Sequence, residues 1–338
     1  MLGYKTAKNL LYVTISGFLV IVSVFFIINF LTPGKTPVSR LAVEISNSLP
    51  AATATSAITI MPTPTNVTAP NTLAAGKTPL EANSKLQQTW LAGVPATVYI
   101  PEKIKRSQDT QLVIALHGMQ GKGEAICKGL ISFAEQNGVI LLAPTFNYNP
   151  NWQDPQIVAS EDPALATQLN QMVGELKIAT NLQFNNHLLL YGFSRGAQLA
   201  HRYALLYPDK TLGVATLSAG SYTLPYKNDA SKSTQPLPFP FGVSDLKNYT
   251  GKPFNQKSFA KVNFLIEVGA MDNDPEQTPP AWDSYLGRSR LERAESFYLA
   301  LKEEGVAAQI TIFPDTAHQE TLAMRTNALN FFKGLITS

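Results

Sequence analysis

The chain of 338 residues contains one cysteine, Cys127. A single thiol excludes intramolecular disulfides and the paired-cysteine sites that hold metals or carry out redox chemistry. We expect Cys127 to be a small core residue on a helix. The formal net charge is only +3, and the sequence has no basic stripe, so nucleic acid is not an expected partner.

Charged residues are absent between Leu10 and Leu31, a run rich in valine, isoleucine, phenylalanine and leucine. About 22 residues of this composition are enough to span a bilayer. The run is longer than the apolar core of a cleaved signal peptide and has no small-residue cleavage site. We predict that residues 1–31 are a cytoplasmic tip and a transmembrane signal anchor. The rest of the chain is then membrane-anchored and extracytoplasmic, or secreted if the segment is cleaved.

Aromatic residues are absent from 32–85, where proline, threonine and alanine dominate. Such a composition buries too little apolar surface to offset the entropy of ordering the chain. The sequence therefore predicts a disordered linker here, followed by a globular domain over 86–338. Roughly 250 residues suit one α/β domain with a large core.

Strand-like and helix-like segments alternate along 86–338, which predicts an α/β domain with a doubly wound, mostly parallel sheet. Pro163 lies where we expect the first turn of one long helix, and Gly138 where we expect another to end. The predicted strands are 96–100, 112–116, 139–143, 188–191, 212–218, 262–268 and 309–313. The predicted helices are 124–136, 163–179, 197–206, 290–304 and 321–336.

The sequence GFSRG at 192–196 directly follows a predicted strand and opens a predicted helix. This is the context of a nucleophile elbow, in which a strained turn lifts a serine to the carboxyl edge of the sheet. The flanking positions must be glycine, because a Cβ would collide with the strand or helix. The alternative is an ordinary glycine-flanked turn in which Ser194 caps the helix.

Sites in such sheets form beyond the carboxyl ends of the strands, and two further segments there carry an acid and a base. The loop after 262–268 contains Asp272 and Asp274, and the loop after 309–313 contains His318. Serine, acid and histidine in this order are expected after a nucleophile elbow. Either aspartate fits the position of the acid. Taken by itself, His318 fits a solvated loop residue equally well.

The other three of the four histidines fit a base less well. His187 lies at the amino end of the elbow strand, the wrong edge of the sheet. His201 lies about two turns into the elbow helix, where we expect packing or capping. His117 follows the strand at 112–116, and its ring is better placed to hold loop backbone than to deprotonate a serine.

Four motifs together resemble the α/β-hydrolase family, and their spacing is most similar to exported esterases related to polyhydroxybutyrate depolymerases and feruloyl esterases. The resemblance implies that Ser194 is the nucleophile, His318 the base and Asp272 the acid, with the backbone N–H groups of Met119 and Arg195 as the oxyanion hole. It implies no cofactor and no metal. The motifs are LHGM at 116–119, GFSRG at 192–196, GAMDND at 269–274 and TAH at 316–318.

The function implied is a serine hydrolase that cleaves a small-molecule or polymeric carboxylic ester through an acyl-enzyme intermediate. A peptidase or acyltransferase on the same fold is an alternative, as is a catalytically silent ligand-binding module. Residues 221–261 separate two predicted strands and are rich in proline and aromatics, which predicts a cap insertion; the alternative is a surface excursion. Tyr148, Trp152 and Trp282 either line the pocket or belong to the core.

Overall fold

The computed structural model describes residues 79–104, 109–229 and 234–337. The predicted membrane anchor, 1–31, and the linker up to residue 78 lie outside these ranges and stay predictions. Of the helices in the described ranges, none is both long and apolar enough to cross a membrane.

Residues 79–85, the described end of the predicted linker, pack against the globular domain. Leu80 is buried in the main core cluster, and its N–H donates to the carbonyl oxygen of Ala179 at 3.0 Å. The Ser84 hydroxyl donates to Glu135 at 2.6 Å. The domain therefore begins before the predicted boundary at residue 86, because the apolar side chain of Leu80 gains from burial.

The described strands form one eight-stranded sheet. They are β1 Leu86–Leu91, β2 Val94–Tyr99, β3 Leu112–Leu116, β4 Ile140–Pro144, β5 Leu188–Phe193, β6 Thr211–Leu217, β7 Asn263–Gly269 and β8 Ala307–Phe313. Their order in the sheet is β1–β2–β4–β3–β5–β6–β7–β8. β2 pairs antiparallel with β1 and β4, and every other pair is parallel. This confirms the predicted doubly wound, mostly parallel sheet.

Helices cover both faces of the sheet, which explains why the central strands are continuous apolar runs. Along β5, Leu188 and Leu190 join one core cluster, whereas Leu189 and Tyr191 join the other. In the described ranges, the helices are α1 Gly123–Lys128, α2 Ile131–Asn137, α3 Pro155–Thr180, α4 Arg195–Leu206, α5 Lys247–Thr250, α6 Gln256–Phe259, α7 Asp283–Leu286, α8 Arg290–Glu303 and α9 Leu322–Thr337. Helices α3, α4 and α8 pack into the first cluster, and α1, α2 and α9 into the second.

Strand β1 was not predicted, because it is a half-exposed edge strand with three consecutive polar residues in its middle. It forms a hairpin with β2 through Ala92 and Gly93, which have φ values of 48° and 74°. Two consecutive residues with positive φ are typical of the tight turns that match the twist of paired strands.

Two predicted helices have different bounds in the structure. The segment predicted as one helix over 124–136 is divided into α1 and α2, and Gly138 ends α2 in the left-handed conformation, with φ 62°. The prediction that a helix begins at Pro163 is wrong, because α3 begins at Pro155, where Asp154 accepts a hydrogen bond from the Gln156 N–H at 2.8 Å. Pro163 lies inside α3 and is buried, so packing outweighs the missing backbone donor.

The described part of the predicted cap packs against two helices of the domain. The Thr223 N–H donates to His201 of α4 at 3.0 Å, and the Tyr226 hydroxyl contacts Glu303 of α8. Leu224, Leu237, Phe239, Phe254 and Phe259 join the main core cluster. A cap over the nucleophile stays a prediction.

A buried ion-pair network ties α3 to α4. Asp162 of α3 accepts a hydrogen bond from Arg202 at 2.8 Å, and its second oxygen contacts Arg195. The side chains of all three residues are fully buried. Glu161 adds a second contact to Arg195, at 2.6 Å. Because buried charges are tolerated only when they are paired, this network depends on Asp162.

We predict that Asp162→Asn lowers the free energy of unfolding by about 3–5 kcal/mol, since it removes the carboxylate that both buried guanidinium groups share and leaves Glu161 against Arg195 alone. Urea denaturation of the two proteins measures the difference. Asp209→Asn, at an exposed aspartate, is the control and should change stability by less than about 0.5 kcal/mol. Equal midpoints for Asp162→Asn and the parent chain would contradict the role assigned to the network.

Candidate active site

Ser194 lies on a tight turn between β5 and α4, with φ 53° and ψ −114°. This conformation is strained for a residue with a side chain and persists only where the surroundings impose it. A Cβ on Gly192 would lie 2.5 Å from the Gly196 carbonyl oxygen, and one on Gly196 would lie 2.0 Å from that of Leu116. Both glycines are therefore required by close backbone contact, as the nucleophile-elbow prediction states.

The Ser194 side chain makes no capping hydrogen bond to α4. Its Oγ instead lies 2.9 Å from Nε2 of His318, and Nδ1 of the same ring lies 2.9 Å from Oδ2 of Asp272. His318 is on the loop after β8, and Asp272 is on the loop after β7. The three side chains predicted from separate segments thus form one hydrogen-bonded chain at the carboxyl edge of the sheet.

Asp274 has a different function in the same loop. Its carboxylate accepts hydrogen bonds from the Glu276 N–H at 2.9 Å and from the Gln277 amide at 3.0 Å, and so begins a short 3₁₀ turn. The residues alone leave both aspartates open and the family resemblance implies Asp272; the structure places Asp272 against the imidazole and Asp274 at the turn.

Asp272 is 3 % exposed, and its second oxygen also has a partner. Nη1 of Arg290, at the start of α8, donates to Oδ1 at 3.1 Å. Burial opposes ionisation of Asp272, but the hydrogen bond from His318 and the charge of Arg290 outweigh it, and the pKa of Asp272 is lowered. The carboxylate is therefore ionised at neutral pH and can accept from the imidazole.

Arg290 is a site residue that sequence reasoning missed. A cation in the first turn of a helix opposes the helix dipole, so an arginine directly after the N-cap Ser289 was an available signal. Its partner, Asp272, comes from outside the helix, and the sequence does not show which residue that is.

The imidazole of His318 is also held by an aromatic ring. Phe193, the residue before the serine, stacks on it with ring centroids 5.2 Å apart and planes inclined at 23°. The His318 side chain remains 26 % exposed, so a substrate can approach it from solvent. Phe193 and Asp272 together fix the direction in which Nε2 points at Ser194.

The loop after β3 lies directly beside the nucleophile. A Cβ on Gly118 would lie 3.3 Å from Cβ of Ser194, so the chain that leads into Met119 passes close to the serine. His117 accepts a hydrogen bond from the Phe146 N–H at 3.0 Å, and its other ring nitrogen lies 2.6 Å from the Gly118 carbonyl oxygen. Burial lowers the pKa of His117, which makes it a neutral residue that holds the loop, as predicted.

His201 has the packing function predicted for it. Its ring is fully buried, accepts from the Thr223 N–H at 3.0 Å and lies 3.1 Å from the Ala197 carbonyl oxygen. His187 lies just before β5, at the opposite edge of the sheet from Ser194. Of the four histidines, His318 alone contacts the serine hydroxyl.

The Arg195 side chain points into the domain, where it contacts Asp162 and Glu161 and lies over the Tyr148 ring at 4.8 Å. Only its backbone is available to the site. The oxyanion roles of the Arg195 and Met119 N–H groups stay predictions.

The three aromatic residues singled out from the sequence divide into two groups. Tyr148 and Trp282 are buried in the core. The Trp152 ring, in the loop after β4, packs close to Gly220, which follows β6. A Cβ on Gly220 would lie only 3.1 Å from that ring. Because β3 and β5 lie between β4 and β6, this contact crosses the edge of the sheet that carries Ser194. Trp152 therefore lies on the same edge as the serine.

Within 79–104, 109–229 and 234–337, no group of three or more histidine, cysteine, aspartate or glutamate side chains is arranged to hold a metal ion.

Comparison with known proteins gives matches at the level of structure. No protein-family model and no curated protein matches the chain. Poly(aspartic acid) hydrolase-1 from Sphingomonas sp. KT-1 is 22 % identical with a TM-score of 0.54, and the match covers 78 % of this chain and 100 % of that one.

Two further solved structures are similar. The LpqC poly(3-hydroxybutyrate) depolymerase from Bordetella parapertussis is 20 % identical with a TM-score of 0.52, over 75 % of this chain and 91 % of that one. The protein TT1662 from Thermus thermophilus is 21 % identical with a TM-score of 0.50, over 75 % and 98 %. With the strand order and the nucleophile elbow described above, these likenesses show that the globular part of the chain has the α/β-hydrolase fold.

Proposed function

We propose that the chain is a serine hydrolase that cleaves a carboxylic ester through an acyl-enzyme intermediate. The observation that carries the proposal is the hydrogen-bonded chain from Ser194 Oγ through His318 to Asp272, with both distances at 2.9 Å. A serine hydroxyl is a weak nucleophile until a neighbouring base takes its proton, and this arrangement supplies that base and an anion to orient it.

In the proposed acylation step, Ser194 Oγ attacks the ester carbonyl carbon while its proton passes to Nε2 of His318. Asp272 stabilises the imidazolium through Nδ1–H, and the Met119 and Arg195 N–H groups stabilise the negative charge on the former carbonyl oxygen. When the tetrahedral intermediate collapses, the bond to the alcohol oxygen breaks, and His318 returns its proton to that oxygen. The alcohol leaves and the acyl group stays on Ser194.

Deacylation repeats these steps with water. His318 takes a proton from the water as its oxygen attacks the acyl carbon, and it returns a proton to Ser194 Oγ as the carboxylic acid leaves. The sum is hydrolysis of one ester bond by one water molecule, and His318 transfers the proton in each step.

The similar structures support hydrolysis, because one is named a hydrolase of poly(aspartic acid) and another a depolymerase of poly(3-hydroxybutyrate). The exposed imidazole edge and the position of Trp152 at the same sheet edge are compatible with a substrate that approaches from solvent. We propose a small-molecule or polymeric ester as the substrate class.

The first test is the substitution Ser194→Ala. We expect turnover of an aryl ester such as p-nitrophenyl acetate to fall to the background rate, because the acyl group has no attachment point. Circular dichroism and the thermal midpoint should match the parent protein. Activity that survives Ser194→Ala would contradict the proposal. If the parent protein hydrolyses a peptide panel but no ester, a peptidase on the same fold replaces the esterase.

The two aspartates offer a matched pair of substitutions. In Asp272→Asn we expect kcat to fall by several orders of magnitude, on the order of 10⁴ in the best-studied triad, because the amide presents the wrong partner to Nδ1–H. In Asp274→Asn we expect at most a modest loss, since that side chain caps a turn. Steady-state kinetics with the same aryl ester measure both. Equal losses in the two variants would contradict the assignment of Asp272.

A further inference from the structure

We infer that Arg290 is a positioning residue for the triad, in which its guanidinium group fixes the Asp272 carboxylate. The inference rests on the proposed function and adds a fourth residue to the three that the sequence predicts. Arg290 does not touch the reacting atoms and acts through Asp272.

The geometry divides the two carboxylate oxygens between two partners. Oδ2 of Asp272 faces Nδ1 of His318 at 2.9 Å, and Oδ1 faces Nη1 of Arg290 at 3.1 Å. With both oxygens engaged, the carboxylate cannot rotate about its Cβ–Cγ bond without losing a charged contact. The direction of the imidazole, and so of Nε2 toward Ser194, depends on this fixed carboxylate.

A second bond holds the guanidinium itself. Nη2 of Arg290 donates to the carbonyl oxygen of Gln277 at 2.7 Å, so one planar group bridges the acid and the backbone of the same loop. The side chains of Arg290 and Asp272 are 4 % and 1 % exposed, so water does not screen their interaction. A planar fork of donors suits this bridge, whereas a lysine ammonium can hold one of the two acceptors.

The position of Arg290 in α8 indicates that the contact with Asp272 is the reason for its charge. The helix begins with a capping box between Ser289 and Glu292, and Arg290 is the first residue of the helix. A cation there is unfavourable with respect to the helix dipole. Burial lowers the pKa of Arg290, and the nearby carboxylates of Asp272 and Asp274 oppose that effect. The site thus retains a buried cation at a position that disfavours it.

The substitution Arg290→Gln tests the inference, with Arg288→Gln as the control. The Arg288 side chain is 74 % exposed, so its loss should change neither kinetics nor stability. In Arg290→Gln we expect kcat for the aryl ester to fall on the order of 100-fold, as small misplacements of catalytic groups do, while KM stays the same.

The pH profile separates positioning from a general structural role. The charge of Arg290 is one of the causes that lower the pKa of Asp272, so in Arg290→Gln the acidic limb of kcat/KM should move to higher pH. Arg290→Lys keeps the charge but not the bridge, so its acidic limb should stay in place while kcat falls by a smaller factor. A purely structural role would lower the thermal midpoint and leave the acidic limb of every folded variant unmoved.

An Arg290→Gln protein with parent kcat and an unmoved acidic limb overturns the inference. If Arg290→Gln does not fold, Arg290→Lys decides, and a parent kcat in that variant overturns it equally. Loss of activity in Ser194→Ala, measured alongside, shows whether the proposed function holds independently. If Ser194→Ala stays active, the proposed function fails. If Ser194→Ala is inactive but the Arg290 variants keep the parent kcat and acidic limb, only the present inference fails.

Discussion

The backbone of the elbow touches the end of β3 directly, since a Cβ on Gly196 would lie 2.0 Å from the Leu116 carbonyl oxygen. This contact joins two neighbouring parallel strands to the start of α4, and the strained conformation of Ser194 persists because both sides are packed. The same contact places the loop after β3 beside Ser194, where Gly118 packs against the Cβ of the serine. One close approach thus fixes the nucleophile and the loop proposed to stabilise the oxyanion.

Charges around this elbow are neutralised in two separate buried groups. On one side, Asp162 of α3 pairs with Arg195, next to the serine, and with Arg202, about two helix turns further along α4, while Glu161 pairs with Arg195. On the other side, Arg290 of α8 holds Asp272. The first group ties α3 to the helix that begins beside Ser194, and the second ties α8 to the loop that carries Asp272, so helix packing and the direction of the catalytic groups depend on the same ion pairs.

The sequence predicts the parts of the molecule that follow from local pattern. The buried strands are continuous apolar runs, the elbow has its glycines at fixed positions, and the carboxyl ends of parallel strands meet at one edge, which brings Ser194, Asp272 and His318 together. Predicting these features requires only the apolar pattern of the strands, the spacing of the elbow motif and the rule that sites form beyond the carboxyl ends of parallel strands. Local pattern does not choose between Asp272 and Asp274, because residues two apart on a loop differ in direction but not in pattern; the family resemblance implies Asp272, and the structure shows its contact with His318.

Other features depend on contacts that no local pattern shows. β1 is polar in the middle and becomes a strand by pairing with β2. Pro163 resembles a helix start, yet α3 continues through it because the residue before it is held by two arginines of α4. Arg290 meets Asp272 across 18 positions of the chain. In each case the partner is distant in sequence, so the tertiary contact overrides the local signal.

The central claim is that the Ser194 hydroxyl is activated, and covalent labelling measures this most directly. A fluorophosphonate reacts with an activated serine by forming a phosphorus–oxygen bond and releasing fluoride. Mass spectrometry of the digested protein should find one adduct, on the peptide that contains Ser194, and labelling should be lost in Asp272→Asn. An adduct on another residue, or no adduct on a protein that hydrolyses esters, would contradict the account.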